Sequence, residues 1–199
     1  MCSPYRGLSV GCWKEKTQEL IKMHPLSDKD IVDVVLSSWK SIFDSQFGTA
    51  GFKIGVDIFP KPQILGFLLH ELIPLELGSR FPTQWRGDEV SSEKDLVYIP
   101  NKKYSIELKT SSNPRHIYGN RSYAQKSTRG KKAKSGYYLA VNFRKVSKGS
   151  TGKAFPKIRL IRFGWLDSTD WTGQAAQTGQ QASLSKEIET TKLLPLYSS

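Results

Sequence analysis

The sequence predicts an α/β fold in which a mixed β-sheet is flanked by helices. Three observations carry that expectation. Apolar residues recur at helical spacing through residues 14–77, whereas β-branched and aromatic residues dominate short runs through 95–166. No internal repeat or linker composition divides the 199 residues, so one domain over 1–199 is expected. It has a helical N-terminal part at 14–77, a sheet at 95–166 and a C-terminal segment at 167–199.

The first helix is expected over KEKTQELIKMH at 14–24, with Leu20, Ile21 and Met23 as its apolar side and Pro25 as its stop. Ser27 or Asp28 then caps a second helix in which Ile31, Val34, Val35, Trp39 and Ile42 share a face. Gly48, Gly51 and Gly55 mark a flexible connection. Residues 62–77 start on a proline and are apolar nearly all round, as a core helix is, with Pro74 expected to end or kink it. Glu71 is out of place in that run and needs a partner, an exposed position or a metal. A polar loop over 78–94 leads into a hairpin: strand DLVYI from Asp95, a turn at 100–103, and strand YSIELKTS. Its short connection makes it antiparallel. A loop to Asn120 caps a helix expected over 121–134. Strands over 135–146 and 156–166 follow, then a loop and a final helix near 180–193.

Hydropathy and charge narrow the function. No apolar run approaches the roughly 20 residues of a membrane span, and MCSPYRGLSVGCW lacks the apolar core of a secretory signal. Cys2 and Cys12 are too few for a disulfide framework and have no metal-ligand company, which suits a reducing cytoplasm. The net charge of +12 is concentrated. Of 30 bases and 18 acids in the chain, residues 101–162 hold 17 and one, which leaves 13 and 17 elsewhere. Such a field suits a polyanion, although a solvated basic face has the same composition.

That single acid is Glu107. Period-two alternation puts Ser105, Glu107 and Lys109 on one face of the second hairpin strand, with Ile106 and Leu108 on the other. With Asp95 on the first strand, two carboxylates are available to hold Mg²⁺ while leaving positions for water and phosphate. Lys109 is placed to orient or help deprotonate that water, and the Leu108 backbone carbonyl is a further candidate ligand. Acid–x–Lys occurs once, against about two occurrences expected from composition, so spacing alone supports nothing. A cross-strand salt bridge would use the same residues. Placement in a hairpin amid the most basic part of the chain is what favours chemistry.

The basic segment also interleaves Tyr118 and Tyr123. Lys126, Arg129, Lys131, Lys132 and Lys134 are candidates for phosphate contacts, which position a duplex without reading it. Asn120, Arg121, Ser122 and Gln125 are candidates for directional contacts to bases, as are Gln174, Gln177, Gln180 and Gln181. Arg86 and Gln84, beside Trp85, form a weaker cluster.

Asp95 followed by IELK at 106–109 resembles the PD-(D/E)XK nuclease superfamily. EKDLVYIPN, IELKTSS, IYGNRSYAQ, RFGWLDSTDW and TGQQASL are similar to type II restriction endonucleases, most like the ScaI-type group, over about residues 65–185. The pattern departs at Lys94, where the superfamily's name has proline. The resemblance implies a restriction endonuclease-like core, with Asp95 and Glu107 as metal ligands and Lys109 as the catalytic lysine. It also implies a third acid on the preceding helix, for which Glu71 is the first candidate and Glu76 the second. The expected function is a Mg²⁺-dependent endonuclease, with Mn²⁺ able to substitute, cutting double-stranded DNA at a short palindrome. Residues 167–199 would then read DNA. A homodimer in a prokaryotic cytoplasm is expected, with no membrane and no small-molecule cofactor. A repair or junction-resolving nuclease of the same fold is the nearest alternative, and a non-catalytic DNA-binding protein the next.

Overall fold

The computed structural model describes residues 3–125, 132–148, 156–176 and 178–199. Helices α1 (Trp13–Lys22), α2 (Asp28–Asp44) and α3 (Pro62–Arg80) come first. Strands β1 (Trp85–Gly87), β2 (Leu96–Tyr98), β3 (Ile106–Ser111), β4 (Tyr118–Asn120), β5 (Gly136–Phe143), β6 (Ile158–Leu166), β7 (Thr172–Gly173) and β8 (Gln181–Ser183) follow. Helix α4 (Lys186–Thr191) and strand β9 (Leu193–Ser198) close the chain. Among the described residues six strands form a sheet in the order β1-β2-β3-β5-β6-β9, and β4-β8-β7 form a smaller one. The β3–β5 pair is parallel and the other pairs are antiparallel, so the large sheet is mixed, as expected.

Strand β5 shows why the sheet has two covered faces. Its side chains at 137, 139, 141 and 143 enter a core shared with α1, α2 and α3, whereas Tyr138 and Ala140 enter a second core with Ile117, Trp171, Ala182, Leu184 and Leu193. All eight residues are buried. A continuous apolar run is what a central strand packed on both faces requires. Parallel pairing of β3 and β5 needs a long crossover. The chain between them carries β4 over the second face.

Several local expectations change. Ser27 is the cap of α2, accepting from the Asp30 amide at 3.1 Å. Pro74 does not end α3, which runs on to Arg80. An internal proline costs about 3 kcal/mol, but Leu65, Leu69, Ile73 and Leu77 are all buried, and Pro74 itself packs on β1, 3.3 Å from where a Cβ on Gly87 would lie. The polar stretch after α3 therefore contains a strand that three residues could not announce. The helix expected over 121–134 is, where described, only a 3-10 turn at Arg121–Ala124, and the Asn120 side chain does not cap it. Near the C-terminus α4 is six residues long, because LLPLYS pairs with β6 as β9.

His24, just beyond α1, shows how the core constrains ionisation. Its ring lies among Tyr137, Phe163, Tyr104 and Trp85, with centroids 4.5, 4.8, 5.8 and 5.9 Å away. Nδ1 accepts from the Leu26 amide at 3.2 Å, so Nε2 carries the proton and donates to the Tyr104 carbonyl at 3.0 Å. Burial lowers its pKa to about 4. The unfolded chain binds this proton more readily, so the stabilisation is complete above about pH 6.5, declines as pH falls and is gone below about pH 4. The loss is on the order of 3 kcal/mol. Urea titrations at pH 7.5 and pH 5 should show wild type losing more stability on acidification than His24→Gln; equal losses would contradict this account.

Candidate active site

Asp95 precedes β2, and its carboxylate accepts from the Leu108 amide of β3 at 2.7 Å through Oδ2. Side chain thus continues the short β2–β3 ladder that pairs Leu96 with Ile106, and this fixes the acid beside its neighbour strand. On β3 the alternation is as expected. Ile106 and Leu108 enter the helical core, while Glu107 and Lys109 face the other layer, opposite Tyr138 and Ala140. The structure therefore brings Asp95, Glu107 and Lys109 together.

Glu107 is 2% exposed and surrounded by cations. Oε1 accepts from Lys109 Nζ at 2.8 Å and from the Tyr123 hydroxyl. Oε2 lies 3.2 Å from Lys132 Nζ and 3.6 Å from Lys94 Nζ. Burial alone would push this carboxyl up, but the ammonium groups of Lys109, Lys94 and Lys132 outweigh it and hold it well below the usual carboxylate range. Lys94 is lowered to about 8, chiefly by burial and against the attraction of Glu107. It lies over the Tyr138 ring, 4.8 Å from the centroid. Tyr123 stays protonated because burial and then Glu107 raise its pKa, and its ring lies 4.6 Å from Lys109 Nζ. It is a fixed donor to the carboxylate.

These groups suit a hard divalent cation. Glu107 Oε2 is buried yet has no hydrogen-bond partner among the described residues. Its charge is met by the Lys132 and Lys94 ammonium groups at 3.2 and 3.6 Å, so it has the capacity to accept a cation ligand in their place. Asp95 Oδ1 shares the Lys132 ammonium with that oxygen, at 2.6 Å, so both acids face one position. The Leu108 carbonyl is beside them and accepts from Lys109 Nζ at 3.0 Å. Among the described residues no group of three or more His, Cys, Asp or Glu is placed to hold a metal ion, so any site here rests on two carboxylates and backbone. Two carboxylates and a carbonyl are oxygen ligands of the kind a hard divalent cation takes.

The expected third acid is elsewhere. Glu71 is exposed and, among the described residues, has no hydrogen bond or ion pair; Glu76 is paired with Arg80. The residue of α3 turned toward the hairpin is His70, with Nδ1 4.0 Å from Asp95 Oδ2. A step of about 100° per residue separates the two side chains around the helix. Burial, with Asp95 opposing it, lowers the His70 pKa, which keeps the ring neutral at pH 7.

The candidate DNA contacts divide. Asn120, Ser122, Gln125, Gln174, Gln180 and Gln181 are exposed. Arg121 donates to the Ala176 and Gly179 carbonyls at 3.2 and 3.1 Å and thereby holds the loop before β8. Lys134 caps the carbonyls of Ser122 and Gln125, and Lys132 is committed to the carboxylates. Lys126, Arg129, Lys131 and Gln177 lie outside the described residues. Arg86 pairs with Glu93 at 2.8 Å.

A cleft of about 920 Å³ opens beside the site. Gln63, Phe67 and His70 of α3 form one wall, residues 111–114 the other, and Arg144, Lys145 and Arg159 add positive charge. Gly66 permits the close approach, since a Cβ there would sit 2.8 Å from Thr110 Oγ1. Asn142 donates to the Asn113 and His116 carbonyls and fixes the far wall. Neither Lys94, His70 nor this cleft has a sequence signature beyond proximity to a charged or apolar run.

Residues 3–197 match the family model described as ScaI restriction endonuclease. The type II restriction enzyme ScaI of Streptomyces caespitosus is 54% identical over 196 residues, which span 98% of this chain and 85% of that protein. No solved structure matches.

Proposed function

The chain belongs to the ScaI restriction endonuclease family, and from that premise we propose that its Asp95–Glu107–Lys109 hairpin cuts double-stranded DNA with Mg²⁺. The activity is that of a type II site-specific deoxyribonuclease. The observation that carries the assignment of the site is the buried Glu107 oxygen that makes no hydrogen bond among the described residues and shares the Lys132 ammonium with Asp95.

Asp95, Glu107 and the Leu108 carbonyl would hold the Mg²⁺, which would supply a lowered water pKa and compensation for charge on the phosphate; Mn²⁺ would have the chemistry to replace it. Lys109 is held between Glu107 and Leu108, where its ammonium can orient the attacking water and donate to a phosphate oxygen. Tyr123 and the Leu108 amide keep the two carboxylates aimed. His70 borders both Asp95 and the cleft and suits the incoming strand. The cleft's Arg144, Lys145 and Arg159 fit phosphates, and the exposed Asn120, Gln125, Gln174 and Gln180 offer directional contacts to bases. The 1–199 chain acts as one nuclease domain in which 167–199 helps read DNA. A homodimer would match the twofold symmetry of a palindrome. Among the described residues no helix is long and apolar enough to cross a membrane.

Incubating a plasmid of known sequence with the protein should give discrete fragments with Mg²⁺ and none with excess chelator, and end sequencing should return one short palindrome at every cut. Cutting that follows branches or mismatches instead would favour a repair or junction nuclease.

A further inference from the structure

Three ammonium groups surround two carboxylates, and they are not equivalent. Lys94 and Lys109 each form an ion pair with Glu107, at 3.6 and 2.8 Å. Lys132 pairs with Asp95 Oδ1 at 2.6 Å and with Glu107 Oε2 at 3.2 Å, so among the described residues it alone bridges both acids. The oxygen it faces on Glu107 is the buried one that lacks a hydrogen bond. Its side chain is 24% exposed, against 10% and 11% for Lys94 and Lys109, so it has the clearest way out.

Resting on the assignment of Asp95 and Glu107 as metal ligands, we propose that Lys132 is a resident ammonium occupying the divalent-cation position, and that it must leave before a metal can bind. A divalent ion approaches carboxylate oxygens to about 2.0–2.6 Å. It cannot enter between oxygens that an ammonium already bridges at 2.6 and 3.2 Å. Lysine suits an exchange of this kind, being a compact point charge on a flexible four-carbon stem. The Lys132 ammonium compensates both the buried Glu107 and the half-buried Asp95, as a carboxylate taken out of water requires. The competition also sets metal affinity. Where the ammonium-bound form holds nine-tenths or more of the population, apparent affinity falls about tenfold or more below its intrinsic value.

Direct Mn²⁺ binding without DNA tests this, with free Mn²⁺ counted by its electron paramagnetic resonance signal. Wild type, Lys132→Met, Lys132→Gln and Asp95→Asn are compared, each checked for folding by circular dichroism. Both neutral Lys132 variants should bind Mn²⁺ at least about tenfold more tightly than wild type, and Asp95→Asn should bind most weakly. Unchanged affinity in the Lys132 variants, with Asp95→Asn still impaired, overturns the proposal and leaves the metal assignment standing. If Asp95→Asn binds as wild type does, the assignment itself fails and the role of Lys132 fails with it.

Discussion

Glu107→Gln should reduce cleavage by about a thousandfold or more while leaving duplex binding intact or stronger. That factor corresponds to about 4 kcal/mol of transition-state stabilisation, within reach of removing one charged ligand from a metal-assisted reaction. The substitution keeps shape and replaces one carboxylate oxygen with an amide nitrogen that repels cations. It also removes the single acid among residues 101–162, so the field facing phosphates becomes more positive. Lys94, Lys109 and Lys132 would lose their shared counter-charge. The variant should therefore be less stable, and its fold is to be checked by circular dichroism before activity is scored. Single-turnover cleavage and a gel-shift titration at matched salt separate the two effects. A fully active Glu107→Gln protein would sink the assignment of this hairpin as the catalytic centre, leave it a salt bridge, and put the cleavage chemistry elsewhere in the chain.

The largest effect on stability is expected outside that hairpin, at Lys192. Its ammonium is 2.8 and 3.0 Å from the Asp170 oxygens and 3.3 Å from Asp167 Oδ2, with 3% of the side chain exposed. The rings of Tyr5 and Trp13 lie 4.3 Å from it. One buried cation thus ties the N-terminal residues, the turn after β6 and the start of β9. Removing one member of a buried ion cluster costs about 3–5 kcal/mol, because the carboxylates left behind stay desolvated. Total stability is about 5–15 kcal/mol for a folded domain, so the loss would be conspicuous. Urea unfolding of Lys192→Met should show it, and adding Asp167→Asn and Asp170→Asn should recover part of it. A single variant within about 1 kcal/mol of wild type would mean that water reaches the cluster.

The adjacency of Lys94 to Asp95 is plain in the sequence, but its partner is not. Lys94 stands where the superfamily's motif has proline, and a lysine before a strand normally reads as solvated. Only the packing of Tyr138 and Glu107 from β5 and β3 encloses it. His70 is similar. It neighbours the conspicuous Glu71 in an apolar helix, and nothing in periodicity says which of two adjacent polar residues turns inward. Arg121, Lys132 and Lys134 all read as DNA contacts, since Lys and Arg in a basic run look alike until their neighbours are known. Two are used on backbone carbonyls and one on carboxylates.

By itself the sequence determined the mixed α/β class, the antiparallel hairpin, the face shared by Glu107 and Lys109, and the basic surroundings. Each follows from local rules: residue period, turn chemistry and a charge count over contiguous residues. Tertiary structure alone decided that α3 runs through Pro74, that LLPLYS is a strand, that His70 replaces Glu71 at the hairpin, and that Lys132 bridges the two acids. Those outcomes depend on groups far apart in the chain competing for the same buried space and the same unpaired oxygens. A linear pattern shows which residues could meet such a demand, and packing selects the ones that do.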